Sequence, residues 1–405
     1  KPASLPPADA LMPNRAPLIL ADLEAIAFAN NPTLAQASRR VDALHGKHLQ
    51  VGLPPNPMVG YQGEEIGDDG TGGQQGMFLG QQLVTAGKLE LNRAVVRHEI
   101  AQARHELEMQ RLRVINAVRA RAYEVIVTQR AVALNEQLVA LGEESMRAAE
   151  KLWQAKEVSQ VDVLQARVEA NSAKLGLTSA RTEHQAAWQR LAVVMGVPDT
   201  PPGALMDNLD ETAPDLVWEN TLVRLLAESP ELARAQSGVE RAKCALARAQ
   251  AGRIPDIDLE AAVRYNNASE YAMASVALGV PLQIFDRNQG NIHQAYAELS
   301  AAHREVRRVE LDLQDRLAVA FAQYSNTNLQ TTQYKTQILP DARSSLELVR
   351  KGYQQGEFDY FELLTAQRTF FQVNLAYIQS LRELWHNAVE IDGLLLTGGL
   401  AAPTQ

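Results

Sequence analysis

A mostly helical fold with a small β part, built from one unit used twice, is what this sequence predicts. Three observations predict it. Aromatic residues make up only 5% of the 405 residues, while Ala, Leu, Glu, Gln and Arg are abundant, the vocabulary of long helices. Phrases recur about two hundred residues apart. Some proline-free stretches are far longer than a globular domain is wide.

The repeat is read from four landmarks. NPTLAQASRRV (Asn31 to Val41) matches SPELARAQSGV (Ser229 to Val239), 198 residues on. Asn56-Pro57 stands opposite Ile254-Pro255, again at 198, and LGQQLVTAGK (Leu79 to Lys88) opposite LGVPLQIFDR (Leu278 to Arg287), at 199. KEVSQVDVLQAR (Lys156 to Arg167) stands opposite GEFDYFELLTAQR (Gly356 to Arg368), at 200. The predicted organisation is an extended N-terminal segment (1–17), repeat 1 (18–200), a linker (201–217), repeat 2 (218–397) and a tail (398–405).

Each repeat opens with a helix, 21–51 and 218–251, that ends at prolines. A β-hairpin follows, 57–84 and 256–284. In the second hairpin Ile257, Leu259, Ala261, Val263 and Tyr265 alternate with Asp258, Glu260, Ala262 and Arg264, giving one apolar and one charged face; the partner strand is expected to run from Tyr271 to Leu282. The first hairpin alternates less clearly and is rich in glycine. Each repeat closes with a long helical hairpin, 88–195 and 289–396, in which the return helix of the second runs from Phe358 to Leu396. At 1.5 Å per residue its first member spans roughly 100 Å. Pro340 interrupts the second long helix where the first has Ala140, so the two should bend differently.

The first long helix carries two apolar seams. Val118, Val125, Val132, Val139, Met146 and Trp153 are spaced by sevens, as are Ala120, Val127, Leu134, Leu141, Ala148 and Ala155. An offset of two residues puts the seams about 200° apart, suiting a helix with a neighbour on each side. In repeat 2 the series is Ile292, Leu299, Val306, Leu313 and Ala320. An extended soluble coiled coil is the alternative. Four strands per chain are too few to enclose a lumen, and open edges cannot sit in lipid, so several chains would have to pool their strands.

Other features exclude more than they assign. A net charge of -9 opposes nucleic-acid binding and permits a cationic substrate or a basic partner, though it also serves plain solubility. The single cysteine, Cys244, excludes a disulfide framework and is expected to be a buried small hydrophobe. No apolar run reaches transmembrane length. The chain begins at Lys1 rather than Met, which fits a trimmed leader. His45 and His48 have a spacing able to hold a metal, but nothing nearby completes a site. There is no nucleophile elbow, P-loop or HExxH motif, so neither an enzyme nor a cofactor is expected.

The duplicated helix, hairpin and helical pair resembles the TolC-like outer membrane factor family of Gram-negative efflux channels. The resemblance covers about Leu18 to Leu396 and is most specific at the two tip phrases and the junctions VTAGK and IFDRNQGN. PLQIFDRNQGNI is similar to the branch serving cobalt, zinc and cadmium efflux. A drug channel, or one for type I secretion, shares the architecture. The resemblance implies a homotrimer whose strands form one outer-membrane β-barrel, continuous with a periplasmic α-helical barrel. It implies a passive conduit joined through a periplasmic adaptor to an inner-membrane pump of RND type. Some relatives carry a lipid on an N-terminal Cys; none is present in this sequence, so anchoring depends on residues outside it.

By that resemblance the helical tips meet the adaptor. The candidates are Lys156, Glu157, Val158 and Ser159 in repeat 1, and Gly356, Glu357, Phe358 and Asp359 in repeat 2. The family's acidic entrance ring maps onto Glu362 and, one turn later, Thr365, so half of that pair is kept; Asp162 is the counterpart of Glu362. Helix N-terminal capping is the other reading of both carboxylates. Phe358 replaces the basic residue of the family's lock, and with Tyr360 and Phe361 it forms an aromatic cluster that packs the turn or faces the adaptor. The loop from Glu64 to Asp69 is expected outside the membrane, and Asp258, Glu260 and Arg264 in the barrel lumen.

Overall fold

The computed structural model describes residues 18–70, 72–206, 209 and 214–402, so the extended segment predicted at 1–17 and parts of the linker and tail lie outside the described residues. In chain order the elements are α1 (Leu20–Asn30), α2 (Pro32–Gln50), β1 (Met58–Glu64), β2 (Gln74–Leu83), α3 (Lys88–Gln154) and α4 (Gln160–Met195). Then come α5 (Trp218–Glu228), α6 (Pro230–Ala251), β3 (Ile257–Asn266), β4 (Tyr271–Gly279), α7 (Gln289–Gln333), α8 (Leu339–Gln355) and α9 (Tyr360–Asp392). The chain divides into two compact units that each draw on both repeats. One comprises Gln36–Glu108 and Pro230–Leu311, the other Lys1–Ala35, Met109–Ser229 and Asp312–Gln405.

Several predicted elements are corrected. The helices expected at 21–51 and 218–251 are each two. Asn31 and Ser229 precede prolines, which disfavour the α region, and both adopt extended backbone (φ -70°, ψ 120° and φ -62°, ψ 117°). Pro32 and Pro230 then start new helices, where a missing N–H costs nothing. Asn31 caps the restart, its Oδ1 accepting from the Thr33 amide at 3.0 Å and hydroxyl at 2.6 Å. β4 stops at Gly279 rather than Leu282, because Pro281 has no N–H for the ladder. α9 starts two residues after Phe358, behind the Asp359 cap, and ends at Asp392. Cys244 is half-buried rather than fully enclosed.

Pro340 does not end its helix. The five residues before α8, Tyr334–Ile338, wind as a π-helix, and α7 and α8 continue on either side. The wider turn makes room for a residue that cannot donate to the preceding carbonyls.

The core of the second unit is built from Val114, Val118 and Val125 of α3, Trp188, Leu191 and Met195 of α4, and Leu381 and Trp385 of α9. Both indoles are satisfied: Trp188 donates to the Thr200 carbonyl at 3.0 Å and Trp385 to that of Leu209 at 3.1 Å. Leu205 and Leu209, predicted as linker, are buried in this core. α4 faces inward with alanines, Ala166, Ala170, Ala173, Ala180 and Ala187, so its partner approaches closely; a Cβ on Gly142 would sit 3.2 Å from the Ala170 Cα. Of the seams on α3, Val118, Val125 and Val127 are buried in the chain, whereas Val132, Leu134, Val139, Leu141 and Met146 are only half covered.

Both helical hairpins turn by the same device. Glu157 donates its N–H to Leu152 O at 2.9 Å, and Glu357 donates to Gly352 O at 2.8 Å, each closing a Schellman turn around a left-handed residue. That residue is Lys156 in one turn (φ 65°) and Gly356 in the other (φ 78°). The return helices start with capping boxes. Ser159 and Asp162 exchange bonds at 2.9 and 3.3 Å, and Asp359 and Glu362 at 3.0 and 2.8 Å. Behind the turns Ala149, Val163, Ala166, Tyr360 and Leu364 form a small buried cluster joining the two hairpins.

Left-handed backbone costs a side chain about 1 kcal/mol or more, and nothing lies within 4 Å of a Cβ built on Gly356. Lys156→Gly is therefore expected to stabilise by up to about 1 kcal/mol and Gly356→Lys to destabilise by a similar amount. Thermal unfolding of the purified variants should shift the midpoint in opposite directions. Burial, with Tyr353, Glu169 and Asp162 nearby, pushes the Tyr360 hydroxyl up to about 12. A raised pKa means that the folded state favours the neutral phenol. The stability it contributes is complete below about pH 10 and is lost as pH climbs toward 12. Tyr360→Phe should flatten the alkaline limb of a pH–stability curve between those values, and an unchanged limb would remove Tyr360 as its cause.

Candidate functional site

The four strands form one antiparallel sheet in the order β1-β2-β3-β4. Leu79 pairs with Val59 and Ala261, and Leu259 with Leu278, so the odd positions of β1, β2 and β3 share a face with the even positions of β4. That face carries Val59, Tyr61, Met77, Leu79, Val263, Val276 and Leu278. All are exposed, Val59 at 64%, Val263 at 63% and Leu278 at 67%. A sheet that turns its valines and leucines outward in a band is arranged for lipid. Among the described residues no helix is long and apolar enough to cross a membrane. An extended soluble coiled coil does not account for this apolar sheet.

The opposite face is polar and holds the three predicted lumen residues Asp258, Glu260 and Arg264. They do not act alike. Arg264 stands opposite Gly76 of β2, which in turn stands opposite Gln62 of β1. Its side chain lies across the glycine and donates to Glu64 Oε2 at 2.8 Å and Gln62 Oε1 at 2.9 Å. A Cβ on Gly76 would sit 2.8 Å from the Arg264 Cγ and 2.1 Å from the Val263 carbonyl, so no other residue fits there without moving the strand. Glu64, expected in an exposed loop with Glu65, Ile66, Gly67, Asp68 and Asp69, is instead the last residue of β1 and the partner of Arg264. The sequence reading missed Gln62, Glu64 and Gly76 as a set. Its available signal was the even spacing of Gly60, Gly76 and Gly80 on the polar face, where neighbours lie across the strands; the Phe78 ring fills the space beside Gly60.

At the helical tips, the candidates Lys156, Glu157, Ser159, Gly356, Glu357 and Asp359 are exposed and Val158 is half-buried. The predicted aromatic cluster is divided. Tyr360 is buried at 7% exposure, Phe361 is exposed at 66%, and Phe358 lies over Gly352, where a Cβ would come within 2.3 Å of its ring. Repeat 1 has Leu152 and Val158 at these two places, a large–small exchange that keeps the turn filled.

The carboxylates of Asp162 and Glu362 accept from the backbone N–H groups of Ser159 and Asp359, where the helix dipole favours negative charge. Thr365, one turn after Glu362, is exposed and donates its hydroxyl to the Phe361 carbonyl at 2.8 Å. Ion pairs tie the two hairpins together: Arg368 to Glu169 at 2.6 Å and Arg350 to Glu144 at 3.3 Å. Arg350, Glu144 and Arg368 are exposed and Glu169 is half-buried, and pairs this open to water are worth about 1 kcal/mol, so the pairing is breakable. Among the described residues no group of three or more His, Cys, Asp or Glu side chains is placed to hold a metal ion.

Comparison with known proteins agrees with this architecture. The family model for outer membrane efflux proteins matches residues 25–197 and again 221–395. The chain is 27% identical over 384 residues to the cobalt-zinc-cadmium resistance protein CzcC of Cupriavidus metallidurans, covering 94% of this chain and 90% of that protein. A crystal structure of CusC superposes with a TM-score of 0.79 at 18% identity, over 98% of both chains. The outer-membrane channel OprN superposes at 0.76 with 18% identity, over 94% and 91%. The outward apolar sheet face, the paired helical hairpins and the double family match lead to one conclusion: the chain belongs to the outer membrane efflux protein family and is an efflux channel of the outer membrane.

Proposed function

We propose that the chain is the outer-membrane subunit of a tripartite pump and conducts divalent heavy-metal cations from the periplasm to the exterior. The observation that carries this reading is the 27% identity, across 94% of the chain, to a cobalt-zinc-cadmium resistance protein. The polar sheet face supports it. With Arg264 neutralised by Glu64, the remaining strand charges on that face are the carboxylates of Asp258 and Glu260, which attract cations and repel anions. The chain supplies no energy source; a periplasmic adaptor and an inner-membrane pump of RND type drive the flow.

The channel in this reading is a homotrimer. Two features favour it. The apolar sheet face comes with only four strands, and α4 leaves Val161, Leu164, Val168 and Leu175 exposed along one stripe. Lys156, Glu157, Val158, Ser159, Gly356, Glu357, Phe358 and Asp359 form the adaptor-facing tips, with exposed Phe361 beside them. The entrance is assigned to Glu362 and Thr365, with Asp162 as the counterpart in repeat 1. Opening parts the Arg368–Glu169 and Arg350–Glu144 pairs.

Deleting the gene in its host is expected to cause hypersensitivity to cobalt, zinc or cadmium that the intact gene rescues. Sensitivity to dyes and antibiotics alone would keep the channel and discard the metal cargo. In planar bilayers, Asp258→Asn combined with Glu260→Gln should lower the cation-over-anion permeability ratio severalfold; an unaltered ratio would take both residues out of the selectivity account.

A further inference from the structure

Within one chain, the passage from β2 into α3 is a built joint. Thr85 donates its N–H to Asp256 Oδ1 at 2.8 Å and its hydroxyl to the Pro255 carbonyl at 2.6 Å. Lys88 Nζ reaches the same Asp256 oxygen at 2.8 Å and is itself only 6% exposed. The passage from β4 into α7 is tied to the end of α6 by Gln283, which donates to the Gly252 carbonyl at 3.1 Å, and by Asn288, which donates to the Ala249 carbonyl at 2.6 Å, but the side chains of Ile284, Phe285 and Arg287 between them stand exposed.

Strand register establishes the correspondence. Met58 pairs with Gly80 and Asp258 with Gly279, so the two strand offsets sum to 399; with Leu79 matched to Leu278 at 199, the first strands of the two hairpins are related by 200 residues. The local offset of 198 read from Asn56-Pro57 is thereby corrected, and Asn56 corresponds to Asp256. Ile284 and Arg287 occupy the places of Thr85 and Lys88, and Pro55 occupies that of Pro255. The members of the first joint are buried or half-buried. Pro55, Asn56, Pro57 and Arg287 are exposed, as are Ile284 at 59% and Phe285 at 89%. They flank β1 and β4, the two unpaired edges of the sheet.

We propose that residues 281–287 of one copy grip residues 54–58 of a second copy of this chain, completing the joint that each copy carries in halves. Arg287 donates to the side-chain carbonyl of Asn56, and Ile284 and Phe285 cover Pro55 and Pro57. The pairing of Leu79 with Ala261 within the chain translates into Leu278 of β4 opposite Tyr61 of the second copy's β1. The joint between copies is thus apolar with a single charge, where the joint within the chain is an ion pair. This inference rests on the shared barrel proposed above.

The test uses the full chain in outer membranes with Cys244→Ser as background. Ile284→Cys combined with Asn56→Cys should, on oxidation, yield dimers and closed trimers on non-reducing gels, and neither single variant should. Tyr61→Cys with Leu278→Cys, run in parallel, reads the shared barrel alone. Cross-linking at the strand edges without any at the junction would overturn the joint and leave the barrel standing. Absence of both in folded, membrane-inserted protein would overturn the barrel and the joint together. Asn56→Asp supplies the missing carboxylate and should raise the temperature at which the oligomer dissociates in detergent. A gain that survives Arg287→Gln would overturn the pairing of those two residues.

Discussion

Backbone N–H and C=O groups cannot be left open in a membrane, and this chain presents a sheet with two open edges and an apolar face turned outward. Four strands satisfy their inner ladders and leave β1 and β4 with one side each unpaired. Burying the apolar face inside the chain would have settled the matter, but among the described residues no element covers it. Pairing with further copies, the shared barrel proposed above, would close both edges and enclose a path rather than a core. The charges of the opposite face lie at even-numbered residues of β3, Asp258, Glu260 and the Arg264 that pairs with Glu64.

Much of this was legible before any coordinates. The two-residue alternation of β3 assigned its faces correctly, since strong β-formers alternate with charged residues over its length. β1 and β2 were harder, because glycines at 60, 76 and 80 stand where polar side chains would have marked the face, and their reason for being small lies on neighbouring strands. The helical hairpins followed from proline-free length and recurring tip phrases. The breaks at Asn31 and Ser229 were missed although Asn-Pro and Ser-Pro were in plain view, since the periodicity continues across them. Glu362 could be narrowed only to two roles. That its carboxylate caps α9 depends on the Asp359 backbone geometry, which no spacing reveals.

The two repeats are alike in plan and unlike where each meets something different. At the tips, a leucine and valine in one repeat become a glycine and phenylalanine in the other, conserving volume while changing the exposed surface. At the Schellman turns, lysine bears a strained backbone that glycine adopts freely. Such exchanges give the two tips of one chain different surfaces on a common turn.

The π-helical turn at Tyr334–Ile338 accounts for a small discrepancy in the repeat itself. Lys88 and Arg287 are 199 residues apart, whereas Lys156 and Gly356 are 200 apart, so repeat 2 holds one more residue between junction and tip. A π-turn accommodates one residue more than an α-turn without breaking the helix. The added residue is lodged there, beside the proline that favours the wider winding. An insertion in an α-helix rotates everything beyond it by about 100°. The bulge absorbs that rotation locally, so the last turns of α8 reach the tip in phase with those of α3, and the duplication keeps its geometry despite having lost its count.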